Sequence, residues 1–197
     1  MRRWVVTGPM GAGKSLATGW LADRGAAVVD GDRLGHEVLT RPEVVSEIVA
    51  AFGPEVAPGG QVDRARLGPV VFADSQAMGR LNRITHARIS DLAARRLDEL
   101  AAGGKHELAV LDAAMYFLFP SPPPVELVVA VIADEEVRVG RLVRERGLGR
   151  EAASRRVAAQ RGMARLWSKA DVILENNGSR EEFLEQVGRL LKTRLDG

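Results

Sequence analysis

The sequence predicts an α/β fold with three layers, α/β/α, built on a parallel sheet. Strand-sized apolar runs alternate with helical periodicity along the chain, which favours crossover connections between parallel strands. The run from Leu127 to Ala133 is apolar without interruption, as in a strand covered on both faces. Two stretches, about 40–103 and about 138–168, carry only helical periodicity and are expected to be insertions on that scaffold. With 197 residues, 46% of them hydrophobic and 27% charged, the chain suits one domain of ordinary size with a buried core.

The elements follow in order. Arg3 to Thr7 is a short buried strand, followed by a glycine-rich turn and a helix from Lys14 to about Arg24, stopped by Gly25. Ala27 to Asp30 is a second strand ending in Asp30-Gly31-Asp32. Helical spacing resumes at Arg33–Leu39, Glu43–Phe52, Arg64–Ala73 and Ser75–Ala102. Leu108 to Asp112 is a strand with an aspartate at its carboxyl end, and Pro120-Ser121-Pro122-Pro123-Pro124 must be a loop. The fourth strand is expected over Val125–Ala133, with Asp134 capping the arginine-rich helix that follows. Val172 to Leu174 is the last strand, and Ser179 with Glu182 forms a capping box for the final helix.

Gly8-Pro9-Met10-Gly11-Ala12-Gly13-Lys14-Ser15 matches G-x-x-x-x-G-K-[ST] between a strand and a helix, the context that the phosphate-binding loop requires. The backbone amides of Gly8, Gly11, Ala12, Gly13 and their neighbours would surround a phosphate at a helix amino terminus. Lys14 would reach the β- and γ-phosphates, the Ser15 hydroxyl would hold Mg²⁺, and Leu16 could offer its N–H to the α-phosphate. No Asn-Lys-x-Asp segment is present, which argues against a GTPase. The chain is short for a motor or transport ATPase, so a small-molecule kinase acting with ATP and Mg²⁺ is expected.

A kinase needs a group to orient the acceptor hydroxyl, and ligands of parallel sheets sit at the carboxyl ends of strands. Asp32, at the end of the second strand and the start of a helix, is the candidate general base. A helix cap is the competing role for Asp32, and backbone bonding the competing role for Asp30. His36 lies four residues beyond Asp32 on the same face, where a surface or packing role competes with catalysis, and Asp112 is placed like the aspartate that supports Mg²⁺ through water in other phosphate-loop proteins.

The net charge of +2 conceals an asymmetry: residues 138–165 hold nine arginines against Glu145 and Glu151, while the remainder is net acidic. An anionic partner is the expected reason, with these arginines forming a lid over the nucleotide. The segment contains no aromatic residue for base stacking, so no nucleic acid partner is expected. No membrane partner is expected either, since no apolar run approaches the roughly 18 residues of a span. The chain has no cysteine, and Met1-Arg2-Arg3 does not open a secretory signal, so a soluble cytoplasmic protein is expected; a monomer is the expected assembly, with an oligomer left open.

Taken together, these residues resemble the dephospho-coenzyme A kinase family. The resemblance starts with Gly8 to Ser15 and Val29-Asp30-Gly31-Asp32 with His36. It continues through Gly60 to Leu67, Val71-Phe72-Ala73-Asp74, Leu81 to His86, Ala170-Asp171-Val172-Ile173 and Asn176-Asn177-Gly178. It implies a P-loop nucleotide-kinase-like fold over the whole chain, with an acceptor-binding helical insertion at about 40–103 and a lid at about 138–168. It also implies ATP-dependent phosphorylation of the ribose 3′-hydroxyl of dephospho-coenzyme A, the last step of coenzyme A synthesis. Asp32 would be the base, Arg141 and Arg146 the lid arginines with Arg156 and Gln160 beside them, and Asn177 and Gly178 the adenine-side loop.

The sequence departs from the family at Pro9, Leu16, Ala87 and Leu166, and at Ala114-Met115-Tyr116-Phe117-Leu118, which lacks the usual proline and glutamate. Two alternatives stay open: a related kinase for another nucleoside or nucleotide, and a non-catalytic ATP-binding protein.

Overall fold

The structure, a computed structural model, describes residues 1–195. In order it contains β1 (Arg2–Thr7), α1 (Lys14–Ala22), β2 (Ala27–Asp30), α2 (Gly31–Val38), α3 (Pro42–Phe52), α4 (Arg64–Ala73) and α5 (Ser75–Gly103). These are followed by β3 (Leu108–Asp112), β4 (Leu127–Ile132), α6 (Glu135–Arg146), α7 (Arg150–Ala158), α8 (Ala164–Trp167), β5 (Val172–Glu175) and α9 (Arg180–Leu195). The expected α/β architecture is present. The strands form one parallel sheet in the order β2-β3-β1-β4-β5.

Most boundaries agree with the sequence within two residues. α2 starts two residues early because Asp30 caps it: the Asp30 side chain accepts from the amides of Asp32 and Arg33 at 2.9 and 3.1 Å. The capping box of α9 is formed as expected. Ser179 Oγ accepts from the Glu182 amide at 3.1 Å, and Glu182 accepts from the Ser179 amide at 2.8 Å. Asp134 differs: it precedes α6, but its side chain caps nothing, and its amide donates to Asn177 Oδ1 at 2.8 Å.

The chain divides into two compact units. The first comprises Met1–Val29, Leu97–Phe117 and the chain from Pro124 onward. Its core lies on one face of the sheet, where Trp4, Val6, Val110, Val129 and Val131 pack against Ala17 and Leu21 of α1 and Phe183 and Val187 of α9. Val5, Ala109, Leu111 and Ala130 carry the alternate positions and are also fully buried, as a parallel sheet covered on both faces requires. Helices α6 and α7 have a small core of their own, Val139, Leu142, Ala153 and Val157, with Met10 packed against it.

The second unit comprises Asp30–Arg96 and Leu118–Pro123. It buries Leu34 and Val38 of α2, Val44, Val45 and Ile48 of α3, and Leu67 and Val71 of α4. The loop at residues 118–123 is fastened to α5, where His86 Nδ1 donates to the Leu118 carbonyl at 3.2 Å and the Ser90 hydroxyl bonds the Ser121 carbonyl.

Register sets what the sheet offers at its carboxyl edge. Val6 pairs with Asp112 and Thr7 with Ala130, while Ile132 pairs with Glu175. The glycine-rich loop, Asp112 and Asn176 therefore emerge along one edge, where ligands of such sheets bind.

Candidate active site

The loop between β1 and α1 turns on glycines that no other residue could replace. Gly8 has φ +133°, and a Cβ there would lie 2.0 Å from the Val131 carbonyl oxygen. Gly13 has φ +107° and forms the amino cap of α1, where a Cβ would lie 2.2 Å from Asn176 Nδ2. The chain can pass this close to β4 and to Asn176 only without side chains.

Three successive carbonyls of the loop are taken by side chains from outside it. The Met10 carbonyl accepts from Arg138 Nε at 2.9 Å. Arg141 Nη1 donates to the Gly11 and Ala12 carbonyls at 3.3 and 3.2 Å, and Asn176 Nδ2 donates to Ala12 at 2.8 Å. Arg141 Nη2 closes the group on Asn176 itself, at 2.9 Å to its carbonyl and 3.0 Å to Oδ1. The amides of Gly11 and Gly13 have no acceptor among the described residues. A loop with its carbonyls engaged and the Gly11 and Gly13 amides unpaired suits an anion, while the Ala12 amide donates to the Pro9 carbonyl at 3.3 Å. Lys14, in the first turn of α1, donates from Nζ to the Pro9 carbonyl at 3.3 Å, bringing its ammonium back along the loop.

Ser15 is exposed at the start of α1. Thr18, one turn later, donates to Asp112 Oδ2 at 3.4 Å and so links this helix face to the carboxyl end of β3. Among the described residues no cluster of three histidine, cysteine or acidic side chains could hold a metal alone. One hydroxyl and one nearby carboxylate nevertheless suit Mg²⁺, which takes oxygen ligands and keeps waters and substrate phosphates in its shell. Ser15 and Asp112 are the residues here that could hold it.

At the other candidate carboxylates the two aspartates separate cleanly. Asp30 is the cap of α2. Asp32, in the first turn, is exposed, and its carboxylate has no hydrogen bond or ion pair among the described residues. His36 is also exposed, one turn further along α2.

The arginine-rich segment sorts into roles. Arg138 and Arg141 hold the loop, whereas Arg150, Arg155 and Arg161 pair with Glu136, Glu151 and Glu135. Arg141, expected as a lid arginine, has four hydrogen bonds to loop and Asn176 oxygens. Arg146 and Arg156 are exposed, without partners among the described residues. Asn177 accepts from the Asp134 amide, tying the turn after β5 to the start of α6. Gly178 stands beside Glu182, whose Oε2 a Cβ would approach to 2.2 Å.

Two residues of this network, Arg138 and Asn176, were not among the expected site residues. Asn176 is 2% exposed and Arg138 6% exposed. The signal for Asn176 was present in the Asn176-Asn177-Gly178 turn after a strand, but alternation alone does not say which asparagine turns inward.

A separate cleft of about 210 Å³, lined by Arg24, Lys105, His106 and Leu191 among others, lies where β3 begins. That is the opposite end of the strand from Asp112, away from the loop.

The profile of the dephospho-CoA kinase family (CoaE) matches residues 4–182. A dephospho-CoA kinase from Geobacter sulfurreducens is 38% identical over 192 residues, covering 96% of this chain and 97% of that protein. One from Leifsonia xyli is 37% identical over 187 residues, covering 94% of each. Among solved structures, TT1252 from Thermus thermophilus superposes with a TM-score of 0.75 at 28% identity, covering 98% of this chain and 97% of that one. With a matched profile over most of its length and relatives this similar end to end, the chain belongs to the dephospho-CoA kinase family.

Proposed function

We propose that the chain transfers the γ-phosphoryl group of ATP to the ribose 3′-hydroxyl of dephospho-coenzyme A, giving coenzyme A and ADP. Membership of the family supplies the reaction class and both substrates. The observation in this chain that carries the phosphate half is the loop at Gly8–Ser15, with its Met10, Gly11 and Ala12 carbonyls engaged by Arg138, Arg141 and Asn176.

In this scheme the Gly11 and Gly13 amides, with Gly8 beside them, and the Lys14 ammonium bind the triphosphate; the Ala12 and Leu16 amides, which donate to the Pro9 and Gly13 carbonyls at 3.3 and 3.1 Å, would join them by exchanging those bonds for phosphate oxygens. Charge spreads over the γ-phosphoryl oxygens in the transition state, and Lys14 neutralises it there. Ser15 would hold Mg²⁺, which would supply positive charge against the charge of the phosphates. Arg141 shapes the loop, and Arg146, exposed on α6, is assigned as the lid cation for the phosphates. Asn177 and Gly178 border the adenine. The segment about 40–103 binds the acceptor, and about 138–168 is the lid of a single kinase domain.

Asp32 orients the 3′-hydroxyl and accepts its proton late in transfer, as a loose transition state requires. Its support is its freedom from capping: Asp30 does that work, so the Asp32 carboxylate is available. We assign the reaction to the cytoplasm, in keeping with a cysteine-free chain. None of the described helices is long and apolar enough to cross a membrane.

The test is a coupled ADP-release assay with dephospho-coenzyme A set against a panel of nucleosides and nucleotides. ATP- and Mg²⁺-dependent turnover with dephospho-coenzyme A is expected. Turnover only with another acceptor would overturn this reading in favour of a related kinase, the alternative motivated by the departure of Ala114–Leu118 from the family pattern. ATP affinity without turnover on any acceptor would leave a binding protein instead.

A further inference from the structure

The Met10 backbone is gripped at both its N–H and its carbonyl, which belong to successive peptide groups, by side chains from residues 138–160. Its N–H donates to Gln160 Oε1 at 2.9 Å, and its carbonyl accepts from Arg138 Nε at 2.9 Å. Arg138 Nη2 donates to the same Gln160 Oε1 at 2.9 Å, closing the three groups into a ring. The Met10 side chain packs on the α6–α7 core beside them. Arg138 is almost wholly buried, and desolvation draws its pKa below the usual guanidinium range, against the weaker pull of Glu135. Glu135 itself is bonded to Arg161 by two hydrogen bonds of 2.8 and 2.7 Å. Arg138 makes no ion pair among the described residues, and both its partners are neutral oxygens. Burying a guanidinium for neutral acceptors is costly, and the fork geometry is what only arginine can supply here.

We propose that Arg138 is a positioning residue for phosphoryl transfer, with Gln160 as its relay. Together they fix the peptide groups on both sides of Met10, so that the Gly11 and Gly13 amides keep the curvature that receives the nucleotide phosphates. Gln160 thereby ties the loop to the end of α7, and loop geometry becomes a property of the arginine-rich helices as well as of the glycines. This rests on the assignment of Gly8–Ser15 as the ATP phosphate site. Among the described residues only Oε1 of Gln160 is engaged, so a carboxylate oxygen can take its place, whereas a methionine of similar length cannot accept comparably.

Steady-state kinetics of the full chain, varying ATP and dephospho-coenzyme A separately, test this on Arg138→Lys, Gln160→Met and Gln160→Glu, alongside thermal melts. Arg138→Lys and Gln160→Met are expected to raise the KM for ATP about tenfold while leaving the KM for dephospho-coenzyme A within about twofold. Gln160→Glu is expected to stay within about threefold of the parent for ATP. A merely structural role would lower the melting temperature without this split between substrates. An ATP KM within twofold of the parent for Gln160→Met, or a Gln160→Glu variant as impaired as Gln160→Met, overturns the proposal. Should Arg138→Lys not fold, the two Gln160 variants decide alone. Lys14→Ala separates the levels: if it too binds ATP normally, the phosphate-site assignment fails, and if it alone loses ATP, only the role of Arg138 and Gln160 fails.

Discussion

The Asp30 side chain accepts the backbone amide of Asp32 at 2.9 Å, so two carboxylates two residues apart hold different duties. One closes the amino end of α2, and the other is left exposed in its first turn. Replacing each aspartate in turn should separate those duties. Asp32→Asn is expected to lower kcat by about 10² to 10⁴ with the KM for ATP little changed, since a general base is lost and no phosphate contact is. Asp30→Ala should instead lose about 1 kcal/mol of stability, the usual value of a cap, measured by thermal or urea denaturation. Near-normal turnover of Asp32→Asn would remove Asp32 from the chemistry.

Lys14 is the one ammonium in the loop, and its Nζ bond to the Pro9 carbonyl holds it along the loop. Lys14→Ala should weaken ATP binding and lower kcat together, because the same charge meets the ground state and the transition state. Nucleotide titration by calorimetry and turnover measured on the same preparation check this. A variant with unchanged ATP affinity would contradict the loop assignment.

Much of this was legible in the sequence because it depends on near neighbours. Gly8 to Ser15 marked its own turn, and Asp30 and Asp32 stand at a strand–helix junction where only capping had to be decided. Ser179 and Glu182 announced α9 through a three-residue spacing, which the structure reproduces. The roles of Arg138 and Asn176 were not legible. Arg138 differs from its arginine neighbours only through partners 128 and 22 residues away. Asn176 rather than Asn177 turns inward because β5 pairs Glu175 with Ile132, and sequence does not fix that register.

Asn176 is the most buried side chain of the loop's support, and both ends of its amide are in use. Asn176→Leu keeps its approximate bulk but leaves the Ala12 carbonyl with one donor fewer and Arg141 Nη2 without its Oδ1 acceptor. A loss of about 1 to 3 kcal/mol in denaturation free energy is expected, the cost of stranding buried polar groups. ATP affinity should fall alongside it, because Gly13 packs on the amide nitrogen and the turn would shift. Equal stability and equal ATP affinity in the variant would show that Arg141 alone suffices.

His86 gives the second unit a pH-dependent element. The imidazole is buried, packs edge-on against Phe119 with centroids 5.6 Å apart, and bonds the Leu118 carbonyl through Nδ1. Because a carbonyl only accepts, Nδ1 carries the proton of the neutral ring. Burial is the larger influence and draws the pKa below its ordinary value of about 6.5, with the bond to Leu118 opposing it. At pH values between the folded and unfolded pKa the unfolded chain binds the proton more readily, so stability rises with pH there. The contribution is complete above about pH 6.5 and is lost as pH falls through the folded value. Melting temperatures taken in small steps from pH 7.5 to pH 5 should therefore decline toward acid in the parent. In His86→Gln, which can donate to Leu118 but does not titrate, the baseline should be lower and that decline shallower. An identical slope in the two proteins would mean that other groups govern the acid limb.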